Sequence, residues 1–126
     1  MKTGLMLILV KVMVKVERGD IVLVELDPTK GSEIQKTRPT IVVSNNLVNE
    51  FTKLVTVVPI TSQKTEQIRS FEVLLDESSG LLKKSKAVIL QVRTVDKTRL
   101  QKKLGKVSKK TLREIDNSLK IHFALD

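Results

Sequence analysis

Arg18–Pro39 reads RGDIVLVELDPTKGSEIQKTRP, an apolar run that passes into a polar loop and ends at Arg38-Pro39, where a second apolar run, TIVVS, begins. From Ile21 to Leu26 nearly every side chain is apolar and most are β-branched, which suits a strand buried on both faces. Asp27-Pro28 ends it. The loop carries Lys30, Glu33, Lys36 and Arg38 around Gly31 and Ser32, too polar to bury and too long for a simple hairpin. Long loops in compact domains are often functional. Pro39 has no N–H and biases Arg38 toward extended backbone, so an arginine is set at a strand entrance.

Working outward, four further apolar runs follow: Thr40–Ser44, Leu54–Ile60, Ser70–Leu75 and Ala87–Val95, with a turn at Ser78-Ser79-Gly80. Short runs separated by polar or glycine-containing turns predict a small antiparallel β-barrel rather than alternating strand–helix units. Helical signals come late. Asp96 caps a short turn through Leu100 that ends at Leu104-Gly105, and Ser108 caps a helix with Leu112, Ile115, Leu119 and Phe123 on its inner face. Lys109, Arg113, Asn117 and Lys120 then point outward.

The 126 residues, 40% of them hydrophobic, make one domain with a real core. No cysteine is present, which excludes disulfides, thiolate metal sites and a cysteine nucleophile, and is compatible with a reducing cytoplasm. A single histidine, His122, leaves no paired-imidazole chemistry and no zinc site within one subunit. It sits beside Phe123 with a structural or exposed role.

Residues 1–12 form a leader: GLMLILV is far too short to cross a membrane. Either it is an extra edge strand or translation begins at Met13, leaving 13–126 as the domain.

The net charge of +9 is unevenly spread. Lys83–Lys110 holds eleven basic residues and one acid, Asp96, so this segment carries +10 and the rest of the chain −1. Such a stripe is either a solvated basic face or a footprint for phosphates or an acidic partner. Aromatic residues are 2% of the chain, with no Tyr or Trp, so a base-stacking platform is not expected.

Phosphodiester cleavage needs charge on the non-bridging oxygens, a group to manage the 2′-hydroxyl proton and a donor to the leaving oxygen. Arg38 offers a charged bidentate fork, and Thr61 and Ser62, at the end of the third run, offer hydroxyls. If the two strands are neighbours, these side chains emerge at the same end of the barrel. The plainer alternatives are a surface salt bridge for Arg38 and ordinary β-propensity for Thr61.

Three blocks carry a family likeness: RGDIVLVELDPTKGSEIQKTRPTIVVS, then VVPITS at Val57–Ser62, then QVRTVDKTRLQKKLG at Gln91–Gly105. In this order and spacing they resemble the signature blocks of the MazF/PemK family of toxin endoribonucleases. The resemblance implies an SH3-like barrel (MazF/PemK/CcdB-like) with a C-terminal helix, acting as a cytoplasmic homodimer. The implied activity is metal- and cofactor-independent cleavage of single-stranded mRNA at a short sequence, by 2′-hydroxyl attack, giving 2′,3′-cyclic phosphate and 5′-hydroxyl ends.

By motif, Arg38 is implied as the main catalytic residue and Thr61 as its phosphate-binding partner. Ser32, Glu33, Gln35 and Lys36 of the loop, Ser62, and Gln91 and Arg93 of the third block are implied to line the RNA groove. A MazE-like antitoxin with an acidic tail is the implied inhibitor. Two departures stand out: Ile34, Gln35 and Lys36 replace a Gln-Gly-Gly-like sequence common in relatives, and Leu90 replaces an acidic residue before Gln91. Two non-enzymatic readings use the same barrel, a DNA gyrase inhibitor and a plain RNA-binding module.

Overall fold

The computed structural model describes residues 15–126, so the leader and the possible start at Met13 lie outside the described residues. In chain order the elements are β1 (Asp20–Glu25), β2 (Thr37–Val42), α1 (Asn46–Phe51), β3 (Leu54–Thr61), β4 (Glu72–Leu74), β5 (Lys86–Val88), β6 (Arg93–Asp96), β7 (Leu100–Lys106) and α2 (Lys109–His122). The strands form one antiparallel sheet of order β4-β5-β3-β2-β1-β7, with β6 also paired to β3. Among the described residues this path is open, ending at β4 and β7. No helix among the described residues is long and apolar enough to cross a membrane.

The first strand is buried on both faces, as its composition requires. Ile21 joins a core shared with Ile41, Val58, Ile60, Ile89 and Ile115. Val22 and Val24 face a second core with Leu26, Val42, Val57 and Val95. Helix α2 covers the first core with Ile115, while Leu112 and Leu119 pack at its edge. Ser108 caps α2, its hydroxyl accepting from the Thr111 N–H at 3.1 Å and donating to Asp76 Oδ2 at 3.0 Å. Phe123 does not continue the inner face. It follows the last helical turn and is 53% exposed.

Three further expectations change. Ala87–Val95 is not one strand. Ile60 pairs with Ala87 and Val57 with Arg93, so β3 advances three residues where its partner advances six. The excess is taken up by a 3-10 turn at Ile89–Gln91. Pro59, which has no N–H to give, lies in the stretch of β3 where the partner changes from β6 to β5.

Helix α1 was not expected. It starts at Asn45, whose side chain accepts from the Leu47 N–H at 2.7 Å, an ordinary helix-cap signal. Leu100–Lys106, read as the end of a turn, is instead strand β7 against β1. Its composition, LQKKLGK, hides it: Gln101, Lys102 and Lys103 are exposed, as befits a strand guarded by lysines at a sheet edge. The Asp96 turn is present at Lys97–Arg99. Hydrogen bonds from the Thr98 N–H and hydroxyl, at 2.9 and 2.8 Å, hold the Asp96 carboxyl below its ordinary value.

Candidate active site

The loop between β1 and β2 is held by its own backbone and by one distant segment. At its base the Leu26 N–H donates to Lys36 O at 2.9 Å, extending the strand ladder. Lys36 takes a left-handed φ of 67° there, uncommon for a residue with a Cβ, while its N–H is held by Asp27 Oδ1 at 3.0 Å. At the tip the Lys30 N–H donates to Glu33 Oε1 at 2.6 Å and the Glu33 N–H to Lys30 O at 3.1 Å. Glu33 is thus turned back onto its own loop.

The distant segment is the third sequence block. The Gln91 amide bridges the loop's far half: Oε1 accepts from the Ile34 N–H at 2.6 Å and Nε2 donates to Ser32 O at 3.2 Å. Arg93 donates to Leu26 O at 3.1 Å. Arg99 donates to Glu25 O at 3.1 Å and also to Asp27 O.

Arg38 is the second residue of β2 and is exposed, with Nε donating to Gln35 O at 3.2 Å. In the β2–β3 register Thr40 faces Pro59 and Val42 faces Val57. Arg38 and Thr61 each lie two residues beyond the Thr40–Pro59 pair on their own strands, so both stand at the same end of the β2–β3 pair. Both line one cavity of about 580 Å³, with Ser32, Glu33, Gln35 and Ser62 from the expected set. Thr61 is half-buried, and its hydroxyl accepts from the Gln63 N–H at 3.2 Å.

A second cavity of about 380 Å³ is lined by Leu90, Gln91, Val92, Arg93 and Pro59, with Ser32, Glu33 and Ile34 belonging to both. The loop segment 32–34 therefore separates the two spaces. Lys36 lines neither, and nor does His122.

Sequence reasoning missed Lys83, Leu81, Leu82 and Gln63 in the first cavity. Lys83 could have been found, since it begins the basic stripe. The apolar wall from Leu81 and Leu82 had no motif to announce it. Arg99 was also missed, although it stands inside the third block.

Across both linings Glu33 is the one acidic residue, against Arg38, Lys83 and Arg93. The cleft therefore favours an anion. Beneath it lies a buried pair. Lys86, opposite Thr61 in the β3–β5 register, is 5% exposed and places Nζ 2.8 Å from Glu72 Oε2. The same ammonium donates to Lys64 O at 2.9 Å and Gln67 O at 3.0 Å, pinning the loop that follows Thr61. Burial alone would raise the Glu72 carboxyl. The hydrogen bonds from Lys86 and the Arg69 N–H, with the charges of Lys86 and Arg69, outweigh it and hold the group below its ordinary value.

Fold and cleft together define a small antiparallel-sheet protein with a basic site at the strand ends. Residues 17–123 match the family described as PemK-like, MazF-like toxin of type II toxin-antitoxin system. Endoribonuclease MazF9 of Mycobacterium tuberculosis is 40% identical over 114 residues, covering 86% of this chain and 96% of its own. Endoribonuclease MazF of Staphylococcus saprophyticus is 34% identical over 109 residues, covering 86% and 91%.

Among solved structures, MazF of Deinococcus radiodurans superposes with a TM-score of 0.75 at 26% identity, over 87% of this chain and 97% of that one. A mycobacterial endoribonuclease solved with its cognate antitoxin shares the fold at a TM-score of 0.75 and 23% identity, over 88% and 97%. The chain belongs to the PemK/MazF family of toxins.

Proposed function

We propose that this chain is a toxin endoribonuclease that cuts single-stranded mRNA at a short sequence without a metal ion. The observation that carries the reading is that Arg38, near the start of β2, and Thr61, at the end of the neighbouring β3, line one cavity. The 2′-oxygen forms a bond to phosphorus as the P–O5′ bond breaks. A proton leaves the 2′-hydroxyl and one is delivered to the 5′-oxygen, giving 2′,3′-cyclic phosphate and 5′-hydroxyl ends. Arg38 offers a guanidinium fork to the charge developing on the phosphate, and Thr61 and Ser62 offer hydroxyl donors. Leu90, 55% exposed beside the second cavity, offers no carboxylate, which leaves Glu33, shared by both cavities, as the one carboxylate in their linings.

The finer architecture we infer is the SH3-like barrel of the family. It is supported by the approach of β7 to the 3-10 turn after β4, where a Cβ on Gly105 would lie 2.6 Å from Ser79 O. The acting unit is proposed as a cytoplasmic homodimer with the groove across both subunits. Leu47 and Phe51, one turn apart on α1 and 66% and 74% exposed, offer apolar area for assembly. An antitoxin with an acidic tail is the proposed inhibitor, matched by the +10 of Lys83–Lys110.

The test is incubation of the protein with long single-stranded RNA in EDTA, with the ends mapped. Arg38→Ala should lower the rate by about 100-fold or more, and Thr61→Val by less. Cleavage that persists in Arg38→Ala, or that needs a divalent metal, overturns the mechanism. Salt-sensitive binding without products would favour the RNA-binding module.

A further inference from the structure

We propose that Gln91 is a positioning residue that latches the β1–β2 loop and thereby aims Arg38, and that the third sequence block supports this loop rather than reading RNA. The inference rests on the cleavage reading above. Both polar ends of the Gln91 side chain already hold the loop, Oε1 accepting from the Ile34 N–H and Nε2 donating to Ser32 O, with one N–H and one lone pair left over. The residue after Ile34 supplies the carbonyl that receives Arg38 Nε at 3.2 Å. The path from Gln91 to the guanidinium therefore runs through one latched peptide segment and one hydrogen bond.

The other two polar anchors of the block act at the opposite end of the loop. Arg93 holds Leu26 O, and Arg99 holds Glu25 O and Asp27 O. Together the three side chains grip carbonyls at the root and the middle of the loop, adding to the hydrogen bonds the loop makes with itself. Its one apolar anchor is Ile34, packed at the edge of the second core. The 3-10 turn at Ile89–Gln91, absent from a continuous strand, is what breaks the ladder just before the loop and presents Gln91 to it. Because segment 32–34 also divides the two cavities, the same latch sets the width of each.

The experiment uses the full chain and an RNA oligonucleotide containing a cleavage site mapped with the parent protein. A misplaced catalytic group costs rate more than binding, on the order of 10²-fold for about 1 Å. Gln91→Ala should therefore lower kcat by roughly 10- to 100-fold while leaving KM and the order of preferred sequences close to those of the parent. The Ile34 amide should exchange with solvent faster in the RNA-free protein. Gln91→Glu keeps an acceptor for the Ile34 N–H and loses the donor to Ser32 O, so slow Ile34 exchange and part of the rate should return.

A raised KM with unchanged kcat, or altered sequence preference with unchanged Ile34 exchange, would overturn the proposal and make Gln91 a direct RNA contact. Arg38→Ala runs in parallel. If it cleaves like the parent, the cleavage mechanism fails whatever Gln91 does. If it is inactive while Gln91→Ala keeps its kcat, the latch alone fails.

Discussion

Replacing Lys86 by methionine keeps a stem of similar length and removes the cation of a buried pair. In the native protein the ammonium has three protein acceptors, Glu72 Oε2 at 2.8 Å, Lys64 O at 2.9 Å and Gln67 O at 3.0 Å, matching its three N–H donors. Side-chain exposures of 6% and 10% for Lys86 and Glu72 leave little water to replace it. Removing one member of such a pair costs about 3–5 kcal/mol when the other charge is left buried without compensation, and here Glu72 keeps the Arg69 N–H at 3.0 Å. The two carbonyls belong to a largely exposed loop and can turn to water, which places the expected loss near 3 kcal/mol.

The loss must depend on pH in one direction. The Glu72 carboxyl is held below its ordinary value, so the pair's contribution is present above the ordinary carboxylate range and fades as pH falls through the lowered native value. In Lys86→Met the effect of burial remains without the ammonium, and the penalty is relieved as the carboxyl takes up a proton. Urea unfolding followed by circular dichroism at pH 7 and near pH 4 should show the deficit shrinking at the lower pH. The double variant Lys86→Met with Glu72→Leu should recover most of it, since apolar replacement of a whole buried pair is often neutral. A deficit under about 1 kcal/mol at pH 7 would refute the reasoning. So would one that is equal at both pH values, or one that the second substitution does not relieve.

Gly105→Ala should cost about 1–3 kcal/mol, because the new methyl would lie 2.6 Å from the Ser79 carbonyl oxygen and one backbone must retreat. Thermal unfolding should show Tm lower by several degrees, and an unchanged Tm would mean that β7 and the turn separate freely. Ser108→Ala removes both the cap on the Thr111 N–H and a donor to Asp76, a loss of about 1 kcal/mol. It should appear as a lower urea midpoint at unchanged slope, with Ser108→Thr retaining most of the stability.

Strand β1 was legible because four consecutive apolar residues, Ile21–Val24, are best satisfied by burial on both faces, and α2 because Ser108 and the Leu112–Ile115–Leu119 spacing are local signals. The break at Ile89–Gln91 was not. Ala87–Val95 is rich enough in β-branched and apolar residues to read as one strand, and only the β3 partner, which advances three residues against six, requires the turn. Strand β7 was hidden for the opposite reason: its polar side chains are those of an edge, and a lysine-rich edge looks like a loop until β1 is placed beside it. For the site, the Arg38-Pro39 boundary and Thr61 at a strand end were visible as residues. Their meeting in one cavity depended on β2 and β3 becoming neighbours.

The sequence by itself determined the class of chemistry available: no thiolate or paired imidazole, a concentrated basic segment, and three blocks whose order and spacing carry the family. Those are properties of composition and local pattern. Tertiary structure decided which residues stand together and what occupies their hydrogen-bonding groups. Gln91 lies 57 residues from Ile34, and nothing local to either reveals that the amide of one holds the backbone of the other. Loop position is set by such long-range donors and acceptors, which exist only once the sheet has brought β6 and the turn before it alongside β3.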